Sequence, residues 1–266
     1  MRALSLVLAT ALLTAGPACA EQDLLLGADM NTPAMTQAEM SRADVEALIA
    51  KADGKPIDLS DKALSGLDLS GLNLKGANLR TARLNKANLH GADLSGANLE
   101  QAWFLKADLS GAKLVGAKMF GITARDANLS GADLSRSMPI GDFRGANMSG
   151  ATLVDLKGGA DMKNQSMGLM RAVFVSVNLS GANLKGANLS RSRLEYANLA
   201  DADLTDVVLM GSDLSGANLT GATVAGAEFK NVDVSGARLQ ALKGQDSAKD
   251  WSAMVNTDRA ITDKTN

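Results

Sequence analysis

Few side chains of this 266-residue chain could carry out chemistry, and their spacing marks no catalytic centre. His90 is the only histidine, so it has no second imidazole with which to share a metal ion. A histidine can act as a general base near neutral pH, but the sequence pairs His90 with no particular serine or carboxylate. We therefore interpret His90 as a surface residue and predict a protein that is not an enzyme and binds no metal or cofactor.

Thioether sulfur is the other reactive group that is clustered here. Five methionines lie close together in sequence: Met138, Met148, Met162, Met167 and Met170. Exported groups of thioethers can bind Cu(I), which is a soft ion. The alternative is that flexible methionine side chains fill an irregular part of the core where leucine does not fit, and this is the interpretation that we favour.

Serine, glycine, asparagine and aspartate are abundant, but they recur every five residues. The cleanest stretch runs from Ala77-Asn78-Leu79 to Ala97-Asn98-Leu99: a small residue, then Asn or Asp, then Leu, then two mostly polar residues. A period of five fits neither the 3.6 of a helix nor the 2 of a strand. The chain must therefore turn a corner in every unit, bury the Ala and Leu, and expose the rest. The Ser-Gly dipeptides become turn residues rather than nucleophile sites.

The central leucine position of the repeat keeps its phase over two blocks. In the first block, centres fall at every fifth residue from Leu59 to Leu134. The register then slips by one, with Phe143 among the next plausible centres, and 154–170 shows no pentad. The first phase resumes at Phe174 and continues to Leu239. These shifts predict a loop or a bulged rung between two regular blocks.

The Ala-Asn/Asp-Leu-x-x pattern between Ile57 and Ala241 resembles that of pentapeptide-repeat proteins. The resemblance implies an all-β fold, a right-handed quadrilateral β-helix with one pentapeptide on each of four sides. Such coils bury their apolar layers only when they stack on neighbours, so they occur as arrays. Leu and Ala would fill the lumen as a packed core.

The flanks of the repeat are predicted to form short helical caps that cover the open ends. Thr36 to Glu39 reads as a capping box, and Gly54 with Pro56 would end the helix that follows. After the last pentad, Asp246 or Ser247 could start a short helix that turns Trp251 inward. The predicted organisation is a signal peptide (1–20), a segment with a capping helix (21–56), repeat block 1 (57–136), an irregular Met/Gly-rich interruption (137–171), repeat block 2 (172–241), and a capping helix with a tail (242–266).

The first twenty residues have the features of a signal peptide. Arg2 precedes an apolar run over 3–13, and Ala18-Cys19-Ala20 supplies a small-x-small site with cleavage after Ala20. Lipidation of Cys19 is the disfavoured alternative, because Gly16 stands where such a site usually has leucine. We predict a periplasmic or secreted protein whose mature chain contains no cysteine.

The charge balance is mild. The chain has 27 Lys and Arg residues against 29 Asp and Glu residues, and the leader removes only Arg2, which leaves 26 against 29. This disfavours a nucleic-acid partner or an anionic membrane surface. No second hydrophobic stretch is long enough to span a bilayer.

One predicted face differs from the Ser-Gly faces around it. Residues twenty apart should stack, which places Arg83 above Trp103 in one column and aligns further basic and apolar residues beside them. Arg and Trp exposed together are typical of recognition surfaces, whereas random drift on a tolerant surface is the alternative. The candidate binding face consists of Arg83, Asn85, Lys86, Trp103, Leu105, Lys106 and Arg125.

Two functions of different classes follow. The first is a non-catalytic exported solenoid that binds a protein partner in the bacterial envelope, with a homodimer through an end cap as a further option. The second, implied by the resemblance, is a DNA-mimicking inhibitor or protector of type II topoisomerase (gyrase). The leader, the weak net charge and the basic face disfavour the second.

Overall fold

A computed structural model describes residues 30–160 and 171–263. Two helices open this part of the chain, α1 (Pro33–Thr36) and α2 (Arg42–Ala52). Three two-residue strands form one parallel sheet in the order β1 (Ile122–Thr123), β2 (Gly141–Asp142), β3 (Ala172–Val173). Three 3-10 turns close the chain: Gln245–Ser247, Trp251–Ala253 and Thr257–Arg259. In these described ranges, no helix is long and apolar enough to span a membrane.

Single-residue parallel bridges connect the rest of the chain to itself twenty residues further on. Asn78 pairs with Asn98, and Arg83 pairs with Trp103. Because twenty residues are four pentads, each coil has four sides and the chain forms a β-helix. The corners need a left-handed backbone, which glycine adopts at little cost, as at Gly91 with φ 64°. The handedness of the coil stays a prediction.

The lumen is filled by the two apolar positions of each pentad. Leu84 and Leu89 are fully buried, and so is Ala82. The lumen of the described coils is therefore a continuous packed core. We number the four sides in chain order. Face 1 carries Arg83 and Trp103, face 2 carries Asn88 and Asp108, face 3 carries Asp93 and Lys113, and face 4 carries Asn98 and Lys118.

The stack continues through the segment predicted to be irregular. Asn147 follows its partner Asn128 by 19 residues, and Asn178 follows Asn147 by 31, so one coil is a residue short and the next carries an insertion. The short coil turns just before strand β2, where the Ile140 amide donates a hydrogen bond to the Met138 carbonyl at 2.9 Å. Residues 141–157 pair with the coils on both sides, and the insertion includes 161–170, which lie outside the described residues.

The described methionines of the predicted cluster do not share a site. Met148 is fully buried as the centre of a pentad, as core filling predicts. Met138 lies on the outer surface and is 44% exposed. The other three methionines of that cluster, Met162, Met167 and Met170, lie outside the described residues.

The N-terminal capping helix begins five residues later than the sequence predicts, with its N-cap at Ser41 instead of Thr36. Its capping box is formed by Ser41 and Asp44, not by Thr36 and Glu39. Glu39 instead forms an ion pair with Lys62 (2.8 Å) and accepts a hydrogen bond from the Ala63 amide. The reason is that the chain around Glu39 pairs with the first coil, through a bridge from Ala38 to Leu64. α2 then buries Val45 against the end of the lumen.

The predicted C-terminal capping helix is wrong. Residues 243–263 form a further coil built from six-residue units, each with a residue of positive φ followed by a 3-10 turn. Bridges from Glu228 to Lys249 and from Asp233 to Val255 stack this wider coil on the last pentads. Trp251 packs edge-on against Phe229 at 4.9 Å, so it covers the core of its own chain. Val255 of this coil is 42% exposed.

Candidate protein-binding face

The residues of the candidate face stack as their spacing predicts, along face 1. Backbone bridges run from Arg83 to Trp103 and from Trp103 to Thr123. Trp103, Leu105 and Arg83 are each partly exposed on the outer surface. Face 1 thus presents an indole and an isobutyl group beside a guanidinium.

Two lysines mark the corner that follows this column. Lys86 and Lys106 are exposed and have positive φ values of 58° and 54°, where most other coils have glycine. Neither lysine forms an ion pair within residues 30–160 and 171–263. Their ammonium groups therefore add positive charge at the edge of face 1.

Asn85 is not an accessible member of the candidate face, contrary to the sequence prediction. It is only 5% exposed, and its amide group donates a hydrogen bond to the Met35 carbonyl (3.2 Å). Its Oδ1 accepts a hydrogen bond from the Leu105 amide (3.1 Å). The physical reason is that the N-terminal segment crosses this corner, so Asn85 anchors that segment to the first coils.

The N-terminal segment leaves a cleft of about 200 Å³ beside face 1. Its walls combine apolar side chains of that segment and of face 1 with the two corner lysines. The lining includes Met30, Met35, Leu105, Lys86 and Lys106.

Arg125 is held by a carboxylate that the sequence analysis missed. The Arg125 Nε atom lies 2.5 Å from Asp142 Oδ2, and Arg144 Nε lies 3.6 Å from Asp142 Oδ1. Asp142 is 6% exposed, so this ion pair is well shielded from water. The one-residue shift at Phe143 places both Asp142 and Arg144 on face 1. The one-residue shift is visible in the sequence, and counting with it would have placed Asp142 and Arg144 on face 1.

Face 1 carries charge into the second block as well. The Arg193 guanidinium forms an ion pair with the Glu195 carboxylate at 2.7 Å, and both side chains are partly buried. Val173 and Val175 separate this pair from Arg144 along the same face. Face 1 therefore alternates ion pairs and apolar groups over several coils.

Face 2 is chemically opposite, because its polar groups bond one another. Asn side chains form a ladder in which each Nδ2 donates to the Oδ1 one coil earlier, as from Asn178 to Asn147 (3.1 Å) and from Asn198 to Asn178 (3.1 Å). The same Oδ1 atoms accept hydrogen bonds from the backbone two residues later, as at Ser180 (3.2 Å). These side chains hold the coils together and have little capacity left for a partner.

His90 lies on face 2 and has a neighbour that the sequence did not indicate. Its Nδ1 is 2.9 Å from Ser110 Oγ in the next coil. Burial raises the pKa of the nearby Asp108, but hydrogen bonds from Ser110 and Asn128 and the His90 charge outweigh burial and lower it. Both Ser110 N and Asn128 Nδ2 already bind Asp108 Oδ1, so this carboxylate is engaged in the turn and the ladder. Within the described residues, no group of three or more His, Cys, Asp or Glu side chains could hold a metal ion.

A sequence profile for pentapeptide repeats matches eight copies, over residues 64–101, 104–137, 172–209 and 208–240. Together these ranges cover more than half of the chain. A comparison with curated protein sequences gave no significant match.

Solved structures of repeat proteins are similar to this chain. HetL, a pentapeptide repeat protein involved in heterocyst differentiation regulation from the cyanobacterium Nostoc sp. strain PCC 7120, is 29% identical, with coverage of 84% of this chain and 99% of HetL and a TM-score of 0.42. QnrB1, a plasmid-mediated fluoroquinolone resistance protein, is 18% identical over 74% of this chain and 92% of QnrB1, with a TM-score of 0.58. A pentapeptide repeat protein from the Arabidopsis thaliana thylakoid lumen is 38% identical over 35% of this chain and 66% of its own, with a TM-score of 0.33. The likeness to QnrB1 supports the fold.

Proposed function

This chain belongs to the pentapeptide-repeat family, and we propose that it is a non-catalytic exported solenoid whose face 1 binds a protein partner in the bacterial envelope. The observation that carries the proposal is the exposure of Trp103 and Leu105 beside Lys86 and Lys106. Trp and Arg are enriched where proteins bind each other, and Arg83 stacks beside Trp103 on this face.

The chemistry of face 1 describes its partner. Lys86 and Lys106 favour a surface that carries carboxylates, and Trp103 with Leu105 favours apolar side chains among them. The shielded Arg125–Asp142 pair holds the neighbouring part of the face in one arrangement, so less side-chain entropy is lost on binding. A partner with an acidic and apolar surface fits these properties.

The proposed location rests on the leader. The apolar run over 3–13 and the Ala18-Cys19-Ala20 site support export with cleavage after Ala20, and these residues lie outside the described part of the chain. Fractionation of cells that express the full chain, combined with N-terminal sequencing, tests this proposal. Recovery of uncleaved protein from the cytoplasm would contradict it.

An affinity capture from envelope extracts tests the proposed binding face. The test bait carries Lys86→Ser, Leu105→Ser and Lys106→Ser, and it retains Arg125 so that Asp142 keeps its partner. A matched bait alters face 3 instead, with two lysines and one aliphatic residue replaced: Lys75→Ser, Lys113→Ser and Val115→Ser.

We expect the wild-type and face 3 baits to recover the same partner and the face 1 bait to lose it. Purified partner then gives the affinities by calorimetry, with a loss for the face 1 bait of about tenfold or more, since each interface anchor contributes about 1 kcal/mol or more. Equal recovery by all three baits would place the partner elsewhere on the molecule.

The alternative function is inhibition or protection of type II topoisomerase. The fold likeness to QnrB1, a fluoroquinolone resistance protein, is the observation that favours it. The positive charge of face 1 disfavours mimicry of DNA. A gyrase supercoiling assay, with and without a fluoroquinolone, decides: no response to excess protein rejects this alternative.

The last coil offers a surface for a second copy of the chain. Val255 and Ile261 are exposed there at 42% and 46%. Sedimentation of wild type against a Val255→Ser/Ile261→Ser variant tests this homodimer, and a wild-type chain that sediments as a monomer would reject it.

A further inference from the structure

The described chain begins at the edge of face 1. Met30 and Asn31 line the cleft together with Leu105 and the corner lysines Lys86 and Lys106. We propose that residues 21–29, which directly precede Met30, dock on face 1 and occupy this cleft as an intramolecular ligand.

The segment after Met30 is tied down at several points, so the chain enters the cleft from a defined place. Asn85 donates to the Met35 carbonyl at 3.2 Å. Ala38 forms an antiparallel bridge with Leu64, and the Glu39 amide donates to the Ala63 carbonyl at 2.8 Å. The described segment that follows residues 21–29 is therefore anchored next to face 1.

The composition of 21–29 complements the surface beside it. The sequence Glu-Gln-Asp-Leu-Leu-Leu-Gly-Ala-Asp contains three carboxylates and three leucines and has no basic residue. Face 1 offers Trp103 and Leu105 for the leucines and Lys86 and Lys106 for the carboxylates. Within residues 30–160 and 171–263 neither lysine has an ion-pair partner, so both are available to these acidic groups.

The length of the segment is sufficient. Nine extended residues reach about 30 Å, at roughly 3.3 Å per residue. The column from Asn85 to Arg125 spans two coils, or about 10 Å at the usual strand spacing of roughly 4.8 Å. Residues 21–29 can therefore cover Trp103 and Leu105 with length to spare.

Self-occupation of face 1 would regulate binding. A partner would have to displace 21–29, which lowers its apparent affinity by the fraction of molecules with the face uncovered. The docking itself needs no partner and is measured on the isolated chain. If residues 21–29 do not dock, the proposed function is unaffected. If the capture experiment finds no partner, the docking proposal is unaffected.

A disulfide test exploits the scarcity of cysteine in this chain. The full chain carries Cys19→Ser, so that introduced cysteines are the only thiols, together with Leu25→Cys and Leu105→Cys. The matched control pairs Leu25→Cys with Val115→Cys, which is a partly buried aliphatic position of the same coil on the opposite face. Both proteins are exported, purified, oxidised at low concentration and mapped by mass spectrometry.

We expect an intramolecular bond to Leu105→Cys to form on the order of tenfold faster than the bond to Val115→Cys, because docking raises the effective concentration. The difference should shrink in about 1 M salt, where the screening length falls to roughly 3 Å. Equal rates for the two pairs would overturn the proposal. Bonds formed between molecules instead would show that a second copy occupies face 1 and would overturn it too.

A second measurement avoids introduced cysteines. The Trp251→Phe change leaves Trp103 as the sole indole, and the replaced ring keeps an aromatic contact with Phe229. We expect acrylamide to quench Trp103 more strongly when Leu24, Leu25 and Leu26 are each changed to Ser. Equal quenching with and without these three changes would overturn the proposal.

Discussion

The asparagine ladder on face 2 gives a prediction that separates ladder hydrogen bonds from turn hydrogen bonds. Within the described residues the Asn178 side chain makes three hydrogen bonds: its Nδ2 donates to Asn147 Oδ1, and its Oδ1 accepts from Asn198 Nδ2 and from the Ser180 amide. The side chain of Asn183, one pentad later in the same coil, makes a single hydrogen bond within the described residues, accepting from the Lys185 amide at 3.1 Å. The two asparagines occupy the same position of the repeat, so each is a control for the other.

The structure sets the expected magnitudes. A hydrogen bond contributes about 1 kcal/mol net to stability. Asn183→Ala removes one such bond and should lower the free energy of unfolding by about 1 kcal/mol. Asn178→Ala removes three and should lower it by about 3 kcal/mol. The difference of about 2 kcal/mol is the contribution of the two ladder bonds.

Urea unfolding followed by circular dichroism measures both variants against wild type. The double variant Asn178→Ala/Asn198→Ala adds a thermodynamic cycle, in which the shared hydrogen bond should appear as a coupling of about 1 kcal/mol. If Asn178→Ala and Asn183→Ala destabilise equally within about 0.5 kcal/mol, the reasoning that the ladder stabilises the stack is refuted.

Three further predictions concern the short coil, the shielded ion pair and acid stability. A β-carbon on Gly141 would overlap the Ile122 carbonyl and stand 2.9 Å from the Ile122 nitrogen, so Gly141→Ala should cost about 3 kcal/mol of overpacking. Gly150→Ala, which meets open space at φ 63°, should cost only about 1 kcal/mol of left-handed strain; equal midpoints in denaturant would contradict this account. Arg125→Ala leaves the buried Asp142 with the Arg144 guanidinium, at 3.6 Å, as its one ion-pair partner among the described residues, and should cost about 3 kcal/mol. Arg125→Ala/Asp142→Ala should cost less, and a costlier double variant would argue against the pairing. The lowered pKa of Asp108 means that its ionised form contributes stability above the unfolded pKa, and this contribution is lost as the pH falls through the folded value. Asp108→Asn should therefore lose less unfolding free energy than wild type between about pH 5 and pH 2, and parallel pH profiles would contradict the assignment.

The five-residue period predicted the coil because it identifies which side chains point into the lumen. Each central Leu and preceding Ala became a lumen residue, and residues twenty apart became neighbours. The stacking of Arg83, Trp103 and Thr123 followed from counting alone. Repeats make such inferences dependable, since each unit contacts mainly its neighbours.

The ends were harder, because tertiary contacts decided between similar local signals. Thr36 to Glu39 and Ser41 to Asp44 both look like helix starts, but Glu39 is engaged by Lys62 and the Ala63 amide in the first coil. The helix therefore begins after Ser41. The sequence carries no mark that would favour one start over the other without the first coil in place.

The C-terminal coil was missed because its period is six and not five. Gly244, Asp250 and Asn256 recur every six residues and each has a positive φ. Asp and Asn tolerate that conformation better than most residues. This spacing was the available signal, and a search for periods other than five would have found a coil there instead of a helix.

The contrast between faces 1 and 2 indicates where this repeat protein can acquire a specific function. On face 2 a changed asparagine loses hydrogen bonds to two neighbouring coils, so the fold itself resists substitution there. At the equivalent position of face 1, Trp103 pairs with the neighbouring coils through its backbone. Arg, Trp, Thr, Asp and Val all occupy this position in successive coils. Outside the Arg125–Asp142 and Arg193–Glu195 ion pairs, exposed side chains on face 1 can therefore change at little cost to the stack, which makes a binding surface compatible with the stability of the coil.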